Sequence, residues 1–259
     1  MQITHIRNAT QIIEYAGKRF LIDPMLADKG AWSGFAGTAR SELRNPLVDL
    51  PFPVKEIVDV DAVIVTHTHE DHWDAAAIAA IPKTLPVYVQ HQADGQLLYG
   101  QGFCNIHLLS AHGKFADISL VKTTSGQHGS DRTYAIPAMA ERLGEACGVV
   151  FRHPQEKTLW LVGDTIWRDE VEADMVRLHP DVIVLNVGYA HVIAFGPIIM
   201  GKEDVLKAHF TLPEAKIVAS HMEAVNHCLL SRDELRQYVA DNRIADAVSI
   251  PQDGESMFF

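Results

Sequence analysis

Within Thr66-His67-Thr68-His69-Glu70-Asp71-His72, three imidazoles and an aspartate fall within six residues. Such a mixture of nitrogen and oxygen donors suits a divalent metal. The run follows Ala62-Val63-Ile64-Val65, a short, β-branched stretch that reads as a buried strand. Side chains alternate along extended backbone, which predicts that His67, His69 and Asp71 leave on one face. A turn into a helix near His72 brings that imidazole back to the same point. The spacing His-x-His-x-Asp-His therefore predicts a metal site at a strand end, with room for two ions. A solvated polar loop is the competing reading, but it gives adjacent imidazoles no reason to cluster. Glu70 lies off the alternating face and is expected to meet solvent or a basic neighbour.

Four donors do not complete two metal sites, so further ones are sought at other strand ends. His128 sits in the glycine-flanked loop Thr124-Ser125-Gly126-Gln127-His128-Gly129. Asp164 follows the apolar run 158–162 in Gly163-Asp164-Thr165, and His221 follows 217–219. Alone, each is more commonly a structural residue; with the cluster they form a coherent set. His227, six residues after His221, either contacts substrate or protonates a leaving group, or is a structural hydrogen-bonding histidine. His5, His91, His107, His112, His153, His179, His191 and His209 have no comparable context and read as structural or exposed.

The elements that must position these residues follow from hydrophobic patterning. Strands are predicted over 3–8, 11–15, 20–22, 62–66, 86–89, 106–109, 118–122, 148–151, 158–162, 182–187 and 217–219, with 247–250 closing the chain as a last strand. Helices are predicted over 75–80, 92–99, 168–178 and 203–209. Ser231-Arg232-Asp233-Glu234 is a capping-box signature for one more, running to about Asn242. Early strands followed by strand–helix alternation imply a layered α/β domain. The stretch Met25 to Lys55 is rich in glycine and proline and reads as a long functional or mobile loop. Arg40 and Arg44 within it either clamp an anionic substrate or face solvent. Val182 to Met200 approaches membrane-spanning length, but Asn186, Gly188, His191, Gly196 and Pro197 interrupt it. It reads as a buried strand and an apolar loop that, with Trp32 and Phe35, either lines a pocket or joins the core.

With 259 residues and 47% apolar content, the chain has material for a sizeable core. A net charge of -11 argues against a nucleic-acid footprint, which calls for a basic patch. Three scattered cysteines, Cys104, Cys147 and Cys228, indicate a reducing compartment and no disulfide framework; they read as small packing residues. The opening Met1–Arg7 has no apolar signal-peptide core, so a cytoplasmic location without stable membrane insertion is expected. A homo-oligomer is compatible with all of this.

The order His-x-His-x-Asp-His, a distant histidine, Gly-Asp-Thr and a last strand-end histidine resembles the metallo-β-lactamase superfamily, over nearly the whole chain. Asp23, in Leu21-Ile22-Asp23-Pro24, matches that superfamily's early aspartate, which orients a ligand histidine without touching metal. The opening Ile-Arg-Asn-Ala-Thr and the later His221-Met222-Glu223-Ala224-Val225-Asn226-His227 resemble the branch of L-ascorbate-6-phosphate lactonase and N-acyl phosphatidylethanolamine phospholipase D. The resemblance implies one domain spanning 1–259 and a four-layer αβ/βα sandwich, two mixed sheets flanked by helices. It implies that His67, His69 and His128 hold one divalent ion and Asp71, His72 and His221 the other, with Asp164 bridging. Zinc fits these donors, with manganese or iron as alternatives.

The activity implied is metal-dependent hydrolysis: a bridging hydroxide attacks a small ester, lactone or phosphodiester, and Asp71 also accepts a proton. The metal charge would draw a small, anionic substrate even to an acidic protein. A di-iron oxidoreductase is one alternative, but its relatives carry glutamate where this chain has His69 and are fused to a flavin domain. A nucleic-acid hydrolase is another, opposed by the acidic balance.

Overall fold

Strand Ala62–Val65 displays how the layers are built. Ala62 and Ile64 face one core while Val63 and Val65 face another, as the two-residue period of a pleated strand demands. The first core lies between two sheets. The second lies between the strand's own sheet and helices Val54–Ile57, Ala75–Ala80 and Gln92–Gly100. Beyond the other sheet the pattern repeats. Trp160, Ile183 and Ile217 turn outward onto helices Asp169–Leu178, Lys202–Thr211 and Arg232–Asp241. The computed structural model describes residues 1–259, and its layers run helix, sheet, sheet, helix, as expected.

Each sheet has seven strands and is mixed. The first runs, in spatial order, Ser256–Phe258, Gln2–Arg7, Thr10–Tyr15, Lys18–Ile22, Ala62–Val65, Val87–Val89 and Ile106–Leu108, parallel from Lys18–Ile22 onward. The second runs Val248–Ser249, Lys216–Ser220, Val182–Asn186, Leu159–Leu161, Gly148–Arg152, Ile118–Thr123 and Lys114–Phe115, parallel across its first four. The parallel strands deliver the residues that follow them to a common edge, as open α/β sheets do.

Several expectations need correction. The chain does not close on 247–250: Ser256–Phe258 follows, pairing antiparallel with Gln2–Thr4. Helices Asp131–Tyr134 and Pro137–Leu143 arise where none is predicted. The 25–55 stretch is not a structureless loop. Trp32–Ser33 pairs with Arg44–Asn45, and the fully buried Arg7 guanidinium donates to the carbonyls of Met25, Ala27 and Val48 at 2.7 to 2.9 Å. Arg40 and Arg44 do not present an anion clamp. Arg40 donates to the carbonyls of Asn226 and Cys228, and Arg44 to those of Gly30 and Ala31. Val182–Asn186 is the expected buried strand, and the apolar segment after it carries a small hairpin of His191–Val192 with Gly196–Pro197. No helix is long and apolar enough to cross a membrane.

Candidate metal centre

The strand ends at Val65, and residues 67–73 form a loop and turn. The amides of His72 and Trp73 both donate to the His69 carbonyl at 2.9 Å. This tight turn, and not the alternation of an extended strand, gathers the four donors. The helix begins only at Ala75, where Asp74 caps it by accepting from the Ala77 amide at 2.7 Å. Asp164 enters after Leu159–Leu161 through Gly163, whose φ is +80° and whose missing Cβ would lie 2.3 Å from the Cys147 carbonyl oxygen. His221 leaves Lys216–Ser220 against Gly188, where a Cβ would stand 1.9 Å from its carbonyl oxygen. His128 ends the loop that follows Ile118–Thr123.

All seven predicted donors converge. Three overlapping groups, His67/His69/His128, His67/His72/Asp164 and Asp71/His72/His221, each bring their donor atoms within 4.8 Å of one another. Oδ2 of Asp164 lies 3.2 Å from His72 Nε2, 3.7 Å from His221 Nε2 and 3.8 Å from His67 Nε2. Oδ2 of Asp71 lies 3.2 Å from His221 Nε2.

Each imidazole is anchored through one nitrogen, which leaves the other for the centre. His67 Nδ1 meets Thr66 Oγ1 at 3.2 Å, His69 Nε2 the Arg142 carbonyl at 3.1 Å, and His72 Nδ1 Asp23 Oδ2 at 2.9 Å. His128 Nδ1 meets the Ile198 carbonyl at 3.0 Å, and His221 Nδ1 meets Cys228 Sγ at 3.4 Å. Asp23 takes the orienting position expected of it, accepting from both the amide and the hydroxyl of Thr66 as well as from His72. Asn186 fixes Asp164 by donating to its Oδ1 at 2.7 Å. The inward nitrogens then crowd one another: His67 Nε2 is 3.0 Å from His69 Nδ1, and His72 Nε2 is 3.1 Å from His221 Nε2. Two lone pairs at that distance repel unless a positive charge lies between them. This donor set fits divalent cations.

The protonation pattern agrees. Burial pushes Asp71 and Asp164 up, yet the neighbouring imidazoles, His72 first, outweigh it and hold both carboxyls well below their usual range. Burial pulls His72 down, but Asp164, Asp23 and Asp71 raise it to about 10. His128 is pushed down to about 3 by burial. The aspartates thus favour a proton on the imidazoles that face them, and cations would displace such protons on binding.

Above the centre opens a cleft of about 510 Å³. His69, Asp71 and His128 reach its floor, and His227 stands in its wall. His227 is 5% exposed, its Nδ1 has no partner, and burial lowers it to about 4. Phe35, Leu143, Val192 and Ile198 make the remaining walls largely apolar. The Phe35 ring meets the His227 ring edge-on at 4.8 Å. Phe35 and segment 188–200 thus reach the cleft, whereas Trp32 packs behind Phe35. Sequence reasoning missed Thr38, Arg142 and Leu143, which carry no metal-binding signature. It also missed Cys228, buried against His221. All three cysteines are free. Glu70 is exposed, the solvent-facing setting of the two expected for it.

A four-layer sandwich carrying this His/Asp cluster at its sheet edge defines a protein of the metallo-β-lactamase fold. A family model described as the β-lactamase superfamily domain matches residues 18–222, and the chain belongs to that superfamily. UPF0173 protein YddR of Bacillus subtilis (strain 168) is 45% identical over 260 residues, 100% of each chain. The structure of an isothiocyanate hydrolase from Delia radicum gut bacteria superposes with a TM-score of 0.98 at 52% identity, over 100% of this chain and 99% of that one. An 83-residue stretch is 34% identical to N-acyl-phosphatidylethanolamine-hydrolyzing phospholipase D 1 of Caenorhabditis elegans, covering 32% of this chain and 22% of that protein, in line with the branch resemblance.

Proposed function

We propose that this protein is a dinuclear metal-dependent hydrolase acting on a small, largely apolar electrophile of the isothiocyanate class. The observation that carries the reading is the donor set itself: five anchored imidazoles and two ionised carboxylates aimed at one point. His67, His69 and His128 would hold one ion, Asp71, His72 and His221 the other, and Asp164 would serve both. Zinc suits these ligands, with manganese or iron as alternatives. Bound divalent ions supply Lewis acidity and make water a competent nucleophile near neutral pH.

The chain's own groups supply the rest. Phe35, Leu143, Val192 and Ile198 bind an apolar substituent and exclude water from it. Asp71 stays ionised at neutral pH and accepts the proton released from water. His227 is neutral there, so its unpartnered Nδ1 can accept the proton that Asp71 takes from water and hand it on to the leaving nitrogen. For an isothiocyanate the balance is R–N=C=S + H₂O → R–NH₂ + COS, with both hydrogens of water ending on nitrogen.

The isothiocyanate hydrolase at 52% identity supports this substrate class, and Arg40 and Arg44, engaged with carbonyls, offer no anion clamp beside the cleft. A phosphodiester or ester is the second reading, favoured by the 83-residue match to a phospholipase D. The test is an assay of metal-loaded protein on alkyl and aryl isothiocyanates beside lactone, phosphodiester and acyl-amide panels. Amine and COS release, abolished by chelator and restored by metal, is expected. Turnover of a phosphodiester with none of isothiocyanate would refute the substrate class.

A further inference from the structure

We propose that Asn226 is a positioning residue that sets the shape of the cleft and, through it, the size of substituent the substrate can carry. This rests on the reading of the cleft as the substrate site. Asn226 is fully buried, and every hydrogen bond it makes goes to the segment between Phe35 and Asn45. Its amide donates to Asn45 Oδ1 at 2.7 Å, and its carbonyl accepts from Arg40 Nε at 2.8 Å. Oδ1 accepts from the Phe35 amide at 3.1 Å and from Asn45 Nδ2 at 2.9 Å. Nδ2 donates to Thr38 Oγ1 at 2.9 Å and to the Ala39 carbonyl at 2.7 Å. That is the full hydrogen-bonding complement of a side-chain amide.

Phe35 and Thr38 are cleft-wall residues, and His227 is the next residue along the chain. One side chain therefore ties the Phe35–Thr38 part of the wall to the segment that carries His227. The Thr38 hydroxyl spends its hydrogen on the Phe35 carbonyl at 2.6 Å, which turns its lone pair towards Asn226. Other contacts hold the same turn from elsewhere: Ala39 donates to the His191 carbonyl, Ile193 to that of Gly37, and Arg142 to that of Ala36. None of these joins the turn to the segment bearing His221 and His227; apart from Asn226, Arg40 does so through the Cys228 carbonyl. Asn226 touches no metal-site donor, so its loss should alter the cleft without emptying the centre.

Asn226→Asp is the sharpest probe. It keeps the shape and an oxygen for Phe35 and Asn45, but sets a carboxylate oxygen against the Ala39 carbonyl and removes the donor to Thr38. Arg44→Ala, which releases the Gly30 and Ala31 carbonyls and leaves every Asn226 bond in place, serves as control. Three quantities are read: metal content, hydrogen exchange of amides 35–45, and steady-state kinetics on isothiocyanates of increasing size. In Asn226→Asp the amides of Thr38 and Ala39, which flank the lost bonds, should exchange about tenfold faster, as loss of one buried hydrogen bond implies. Metal content should match wild type. KM for small substrates should rise about fivefold with kcat within about twofold, and the preference between small and bulky substituents should narrow. Arg44→Ala should leave metal content, exchange at Thr38 and Ala39, KM and size preference unchanged.

Unaltered exchange at Thr38 and Ala39, or a fall in melting temperature with unchanged KM and size preference, would overturn the proposal. Should Asn226→Asp fail to fold, Thr38→Val removes one of the same bonds and must show the same KM shift. If wild type turns over no isothiocyanate, the substrate reading fails, while the exchange data still decide whether Asn226 holds the wall.

Discussion

Replacing Asp23 tests how far the centre depends on a residue that faces away from it. Its carboxylate is 2% exposed and accepts from Thr66 N at 2.7 Å, Thr66 Oγ1 at 2.8 Å and His72 Nδ1 at 2.9 Å. Asp23→Ala strands those buried donors at about 1 to 3 kcal/mol each. They share one acceptor group, so the sum should fall near the lower end, about 3 to 4 kcal/mol. Asp23→Asn keeps the volume but exchanges one acceptor oxygen for an NH₂, and one donor loses its partner at a cost of about 1 to 3 kcal/mol. Both changes release His72, and losing a partner behind a ligand typically weakens metal binding about 10- to 100-fold. Urea unfolding of chelator-stripped protein, followed by tryptophan fluorescence, reads the first effect. Competition against a chromophoric chelator reads the second. If Asp23→Asn matched wild type in both unfolding midpoint and metal affinity, the orienting role of Asp23 would be refuted.

Asp71→Ala and Asp164→Ala should each abolish turnover and lower metal content; full activity in either would sink the ligand assignment. His227→Phe should leave metal content intact and lower kcat about 100-fold, the scale of one positioned proton-transfer group, as read by steady-state kinetics. Burial lowers His227 to about 4 in the folded protein, so the unfolded chain takes up this proton first as pH falls below about 6.5. Stability linked to His227 is therefore full above that pH and falls by about 3 kcal/mol towards pH 4. Unfolding free energies of wild type and His227→Phe between pH 4 and 7 should diverge accordingly, and parallel curves would contradict it. Chelation should lower the melting temperature, and restored metal at about 100 times its dissociation constant should return about 2.7 kcal/mol.

The chemistry of the site was legible because its residues are chemically unusual. Imidazoles and carboxylates at strand ends carry a signal that survives without three-dimensional information, and His67, His69, Asp71, His72, His128, Asp164 and His221 all converge. The geometry behind the convergence was read less well. Strict strand alternation was assumed through Asp71, whereas hydrogen bonds to the His69 carbonyl turn the chain instead. The cleft walls were harder still, since Leu143 and Ile198 look like any core residue until folding brings them together. Arg40 and Arg44 are exposed, one of the two settings their sequence context allows, but a sequence does not reveal which carbonyls a guanidinium will find. The strand Ser256–Phe258 has only a few residues, and its pairing with Gln2–Thr4 spans the whole chain. The buried strands and the amphipathic helix Asp169–Leu178, by contrast, were set by local hydrophobic pattern and lie within a residue or two of expectation.

Elemental analysis combined with chelator competition tests the central claim most directly. Wild-type protein stripped and reloaded with zinc or manganese should retain about two ions per chain. His128→Ala and His221→Ala should each lose about one, from different halves of the donor set. Failure of the wild type to retain any divalent ion after reloading, or full retention in both variants, would contradict the account.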